Sequence, residues 1–270
     1  RPGWPTAPTR IEVLDLGAGA AVHLHAGGED WLIDCGSQRD FERVLVPYLH
    51  WAGVNRLDGL ILTHGDSMHI GAAALVVDEF KPRSIIDNPA SDQSSVHRKL
   101  RLLLKEQNQP VTFLTAGDTF RPDSNVEARL LYPRRGFKAR KGDDQAFVTQ
   151  LRLASGTRVL LVSDSGLETE KALITQAELR SDIMIKGQHS SGISGSEEFL
   201  NVVAPKLIVA TSRDFPHRER LSDEWVENVR KRGVQLFRQD ESGAVQLDFR
   251  SSEWSARGYI TGQVFRSSSR

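Results

Sequence analysis

Cysteine is almost missing from this sequence: Cys35 stands alone among 270 residues. A single thiol excludes an internal disulfide framework and a cysteine-rich zinc cluster, so no disulfide partner is expected. A surplus of charge is missing too. Lysine plus arginine numbers 35 and aspartate plus glutamate 35, so no global field marks a nucleic-acid or membrane partner, and any such site has to be a local patch. No apolar run approaches the length of a membrane span. The chain opens on Arg1 rather than methionine and reads as a mature or excised piece, which leaves upstream membrane segments open. With 39% hydrophobic and 26% charged residues, the composition is that of a soluble globular protein long enough for one large core.

The Pro/Ser-rich ends read as an N-terminal linker, residues 1–10, and a C-terminal extension, residues 251–270, around one domain over 11–250. "IEVLDL", "AAVHLHA" and "DWLIDCG" are short β-prone runs separated by glycine-rich turns, the pattern of a meander. "FERVLVPYLHWAG" has helical apolar spacing and stops at Gly53, and "LDGLILT" is an almost wholly apolar strand, as expected where both faces are covered. Helix and strand then alternate through "IGAAALVVDEF", "RSIIDN", "SSVHRKLRLLLKEQ" and "PVTFLT". After the basic turn "PRRGFKARKGDD", the strands "AFVTQLRLA" and "TRVLLVSD" meet at Ser155-Gly156, and further helix–strand units follow. Two sheets sandwiched between helices satisfy this order, an α+β fold.

The stretch "LILTHGDSMHIGAAA", Leu60 to Ala74, places His64, Asp66 and His69 within six residues directly after a strand. Histidine with carboxylate is a ligand set for zinc, manganese or iron, although Asp66 or Ser67 can equally cap the next helix. Asp164 ends "RVLLVSD", His189 follows "IMIKG" and His217 follows "KLIVAT", each just past a strand's C-terminal end, where ligands gather in layered α/β folds. Arg134, Arg135, Lys138, Arg140 and Lys141 surround Phe137, either as a solvated loop or as a phosphate-tracking patch with a stacking aromatic. His23 and His25 read as sheet-surface residues, His97 as solvated at a helix start, and Cys35 as a small buried residue. Asp34 reads either as a turn former or as a carboxylate orienting a metal-bound histidine.

In order and spacing, "LDLGAGAAVHL", "DWLIDCG", "LDGLILTHGDSMHIGA", "DDQAFVTQLRL", "VLLVSD", "IKGQHSSG" and "FPHRE" resemble the metallo-β-lactamase fold. Within it they resemble the C-terminal hydrolase domain of ComEC-type competence proteins, which are membrane DNA-uptake channels. That family reads approximately "DVGQGDA", "LIDGG", "LTHxDxDHIGG", "NDxSLVLRL", "LLTGD", "PHHGS" and "GHP". The resemblance implies a four-layer αββα sandwich and a metal-dependent phosphodiester hydrolase acting on DNA through a metal-activated water. It also implies a domain attached to an upstream membrane channel, on an undetermined side of the membrane. It places His64 and Asp66 on one metal, and His69, Asp164 and one of His189 or His217 on or toward a second, with Asp164 bridging. Asp66, Asp164 and His189 are the implied catalytic residues. The chain departs from the family at Ala20, Met68 and Gln188, where aspartate, aspartate and histidine are expected. A thioether does not replace a carboxylate for a hard divalent ion, so one zinc or manganese ion is expected rather than two. Two other readings stay open: a degenerate, non-catalytic domain that binds DNA or serves as a scaffold, and a hydrolase of a small ester or lactam.

Overall fold

Gly27 and Gly28, at φ +61° and +89°, join two strands by the kind of two-residue turn that matches strand twist. The computed structural model describes residues 8–17, 19–90, 94–138, 141–175, 178–192, 194–213, 220–250 and 253–267. The chain runs through β1 (Thr9–Val13), β2 (Val22–Ala26) and β3 (Glu29–Ile33) into a helical stretch. That stretch is α1 (Gln38–Asp40), a π-helical turn (Phe41–Leu45) and α2 (Val46–Trp51). Pro47 carries no N–H, so the regular ladder is interrupted there and the preceding turn widens. Next come β4 (Gly59–Leu62), α3 (Ser67–Ile70), α4 (Ala73–Phe80), β5 (Ser84–Asp87), α5 (Ser95–Glu106) and β6 (Val111–Phe113).

The second part holds β7 (Thr119–Asp123), β8 (Val126–Tyr132), a 3-10 turn (Asp143–Gln145), β9 (Val148–Leu153) and β10 (Arg158–Ser163). It continues with α6 (Leu167–Ile174), β11 (Ile183–Lys186), α7 (Glu197–Val203), β12 (Leu207–Ala210), α8 (Asp223–Lys231) and β13 (Gln235–Arg238). The end of the chain supplies α9 (Gln239–Ser242), β14 (Val245–Phe249), β15 (Trp254–Gly258) and β16 (Val264–Arg266). A nine-stranded sheet has the order β16-β15-β14-β1-β2-β3-β4-β5-β6, and a seven-stranded sheet the order β13-β12-β11-β10-β9-β8-β7.

Three buried clusters define the layers. Ile11, Leu24, Ile61, Phe147, Leu161, Val209 and Leu247 fill the space between the two sheets. Leu32, Leu60 and Leu62 face away from it, onto Leu45, Phe80 and Leu100 of the first helix layer. Leu160, Met184 and Ile208 likewise meet Phe199 and Val229 of the second. Strand β4 therefore buries Ile61 on one face and its neighbours on the other, which is why "LDGLILT" shows no polar alternation. The result is the four-layer αββα sandwich expected from the sequence.

The structure differs from the sequence reading in several places, and residues 9 and 10, read as the end of a linker, open β1 and pair with β14. Strands β7 and β8 lie in a stretch left unassigned: β7 is an edge strand carrying Pro122, whereas β8 has the buried/half-buried alternation of a strand. The segment taken as a C-terminal extension from residue 251 supplies β15 and β16, because Trp254 packs into the inter-sheet core and against Phe265, ring centroids 5.4 Å apart. His23 is buried beneath α2, between the Tyr48 hydroxyl at 2.8 Å and Asp30 at 3.0 Å, while His25 meets Asp30 at 2.7 Å. His97 is also buried, its Nε2 within 2.9 and 3.0 Å of both oxygens of Asp87, a carboxylate that Arg101 also contacts. Trp254→Ala should cost about 3–5 kcal/mol of unfolding free energy in a urea titration; an unchanged midpoint would mean that β15 is not part of the cooperative core.

Candidate metal centre

Asp34 leaves the end of β3 with φ +57°, a left-handed turn that swings its carboxylate across to the end of β4. There Thr63 donates its N–H to Oδ1 at 2.9 Å and its hydroxyl to Oδ2 at 2.6 Å. His69 Nδ1 lies 2.7 Å from the same Oδ2. With its proton committed to Asp34, the Thr63 oxygen can only accept from His64 Nδ1, 3.0 Å away. His64 therefore carries its proton on Nδ1. Burial, reinforced by neighbouring His69, holds its pKa below the ordinary imidazole value, so the ring is neutral at neutral pH and Nε2 keeps a lone pair. That Nε2 is buried and has no hydrogen-bond partner among the described residues.

His69 stands between two carboxylates, with Nε2 2.8 Å from Asp164 Oδ2, and its ring centroid is 4.2 Å from that of His64. Burial opposes its protonation, but Asp164 and Asp34 outweigh burial and raise its pKa well above the ordinary value. Burial works on Asp164 in the raising direction, yet His69, His64 and Lys186 bring its pKa down. Gly187 makes this placement sterically feasible: a Cβ there would lie 1.7 Å from Asp164 Oδ1. Ligand atoms of Asp34, His64 and His69 all lie within 4.8 Å of one another.

The other residues singled out in the sequence surround this cluster unequally. Asp164, His189, Asp66 and Met68 border one cavity of about 220 Å³. His189 is held by Ser191, whose hydroxyl is 2.5 Å from Nδ1, and by Asp144, 3.3 Å from Nε2. Asp66 caps α3, accepting from the Met68 N–H at 2.6 Å, so its carboxylate is partly committed to the backbone. His217 and Arg140 lie outside the described residues. Arg134, Arg135, Lys138 and Lys141 are exposed, but Phe137 is not offered for stacking. Its ring packs edge-on against Tyr132 at 5.1 Å, drawn into the apolar cluster of the second sheet. The sequence reading singles out neither Thr63 nor Asp144, and only the place of Thr63 beside His64 hints at its role.

This donor set fits a divalent cation. It offers an unpartnered, lone-pair-bearing imidazole nitrogen, a second histidine oriented through its far nitrogen by Asp34, and a carboxylate opposite.

Two sheets layered between helices, with histidines and aspartates gathered at strand ends, make this a metallo-β-lactamase fold. A sequence profile of the metallo-beta-lactamase superfamily matches residues 15–126. The chain is 29% identical over 268 residues to competence protein ComA of Neisseria gonorrhoeae, covering 97% of this chain and 34% of that protein. It is 21% identical over 259 residues to ComE operon protein 3 of Bacillus subtilis (strain 168), covering 89% of this chain and 33% of that protein. The chain thus spans about a third of the length of the curated relatives it matches. Among solved structures, the metallo hydrolase Igni18 of Ignicoccus hospitalis superposes with a TM-score of 0.59 at 14% identity, covering 89% of this chain and 100% of that one, a likeness of fold. The chain is a metallo-β-lactamase-fold domain related to competence proteins.

Histidine titration by NMR on the metal-free chain should separate the two buried rings. His64 should protonate only below the ordinary imidazole range and His69 should stay protonated above it. The stability contributed by His69 is complete below its unfolded pKa and lost as pH rises through the raised folded value; that of His64 is present above its unfolded pKa and lost as pH falls through the lowered one. Asp164→Asn should bring the His69 pKa down, and an unmoved titration would remove Asp164 as its partner.

Proposed function

We propose that the chain is a metal-dependent hydrolase of phosphodiesters, acting on DNA as a domain of a longer, membrane-associated competence protein. Among the described residues no helix is long and apolar enough to cross a membrane, so in this reading the anchoring segments belong to the parent protein. The observation that carries the proposal is the orphaned His64 Nε2 beside the His69–Asp164 pair. His64, His69 and Asp164 would hold one zinc or manganese ion, with Asp66 at the rim. A divalent ion there supplies Lewis acidity, acidifying water and offsetting charge on a phosphate oxygen.

The chain's own residues do the rest. Thr63 fixes the His64 tautomer and Asp34 fixes the His69 ring, so both rings are oriented before any ligand arrives. Asp144 and Ser191 hold the His189 ring at the cavity wall through both of its nitrogens, Nδ1 accepting from the Ser191 amide and Nε2 facing Asp144. Lys186, buried beneath the site and pushed down to about 8 by burial, adds a positive charge close to Asp164.

A second reading, a non-catalytic DNA-binding or scaffolding module, is favoured by Met68. Its thioether borders the cavity where the family pattern has a carboxylate. Titration calorimetry with zinc and with manganese, paired with a manganese nuclease assay on a labelled oligonucleotide, separates the two. The hydrolase reading expects binding of one ion and cutting, with both lost in His64→Ala and Asp164→Ala. Asp34→Asn leaves those ligands in place and should weaken metal binding about 10–100-fold. No ion bound by the wild type, with equal background cutting in all variants, would overturn the hydrolase reading and support the module instead.

A further inference from the structure

Met68 and Arg213 border two hollows at once. One is the cavity beside Asp164; the other is a groove of about 890 Å³ bounded by α1, α3 and α5. The floor of the groove is apolar and only half-buried, formed by Met68, Ala74, Val96 and Leu103. Its rim carries three exposed cations, Arg39, Lys99 and Arg213. Among the described residues, none of these three side chains has a hydrogen-bond or ion-pair partner. Some other surface arginines pair with carboxylates, as in Arg10–Asp248 at 2.9 Å and Arg152–Glu178 at 2.5 Å. Asp40, the one carboxylate bordering the groove among the described residues, is committed: its Oδ2 accepts from the Ser37 N–H at 3.0 Å and the Ser37 hydroxyl at 2.6 Å.

Arg213 is seated by the backbone beneath it. Gly17, at φ +71°, leaves room that a Cβ would fill, since that atom would fall 1.7 Å from Arg213 Nη2. The guanidinium therefore rests on bare main chain where the groove meets the cavity. Unpaired cations around an apolar floor match a ligand with charge along its edge and flat apolar faces toward the protein. A single nucleic-acid strand has that chemistry, with phosphates for the rim and exposed base faces that can bury against an aliphatic floor. A duplex keeps its base faces stacked inside and would use the rim alone.

We infer that this groove binds one strand of nucleic acid and leads it across Met68 into the cavity beside Asp164. Arg213 is the positioning residue at the junction, where it grips the phosphate next to the one that enters the cavity. The fate of the strand rests on the hydrolase reading above; its binding does not.

Fluorescence anisotropy in the presence of EDTA tests binding without cleavage, so a failed nuclease assay leaves this result intact. The probe is a labelled oligothymidylate, read on the full chain and on Arg39→Ala/Lys99→Ala/Arg213→Ala. The triple variant should bind at least tenfold more weakly, and the slope of log affinity against log salt should shrink by about 0.7 for each phosphate contact removed. Arg213→Gln alone, a change at an exposed side chain, should give a partial loss with an unchanged thermal midpoint. Neutralising Arg134, Arg135, Lys138 and Lys141 should leave affinity near wild type. The inference is overturned if the triple variant keeps wild-type affinity and slope, or if the loss follows the 134–141 loop instead. It is equally overturned if a duplex, inorganic polyphosphate, a glutamate-rich peptide or an anionic lipid vesicle binds as tightly as the single strand.

Discussion

One carboxylate ties the candidate centre together. Asp34 receives the Thr63 amide, the Thr63 hydroxyl and His69 Nδ1, and so fastens the ends of β3 and β4 to α3. Charge-assisted bonds of this kind in a buried setting are strong, and leaving any of the three donors unpaired would carry a desolvation penalty. The left-handed backbone of Asp34 is tolerable because so many bonds over-determine it. The same contact passes through the Thr63 hydroxyl to set which nitrogen of His64 holds a proton. A turn residue three strands into the chain thereby sets the electronic state of a ring 30 positions later.

The layered fold was legible because its signals are local and repeated. Apolar runs of strand length, helical spacing and glycine punctuation recur along the chain, and the burial of β4 on both faces is visible in "LDGLILT" itself. The site was legible in outline, since His64, His69, Asp164 and His189 all sit past strand ends. What escaped the sequence depends on partners distant along the chain. His23 looks like a surface residue until α2 covers it, and His97 until Asp87 and Arg101 close around it. Phe137 sits in a basic run that suggests solvent, yet Tyr132 provides it with an apolar seat. The roles of Thr63 and Asp144 follow from hydrogen-bond geometry, which spacing cannot reveal.

The departures from the family pattern have visible local consequences. Where aspartates are expected, Ala20 and Met68 meet through the backbone, the Ala20 amide donating to the Met68 carbonyl at 3.3 Å. The loop after β1 is thus pinned to α3 without either side chain. Gln188 takes up the Lys186 ammonium at 3.1 Å, a job for an amide oxygen that a neutral ring nitrogen does less readily. Met68 and Gln188 border the cavity that Asp164 also lines, and the His64–His69–Asp164 grouping is left whole.

The pairing of β1 with β14 has a consequence for how the molecule comes into being. Arg10 meets Asp248, 238 positions along the chain, in the middle of the larger sheet. The cluster likewise spans Asp34 to Asp164. Such non-local contacts raise the contact order and slow folding, because loop closure precedes any reward from pairing. On a ribosome the first sheet would wait, with β1 lacking one neighbour, until nearly the whole domain had emerged. The His69–Asp164 pair, by contrast, needs only the chain through β10. The centre can therefore begin to assemble before the sheet that supports it is complete, which makes the free edge of β1 the segment most exposed to mispairing during synthesis.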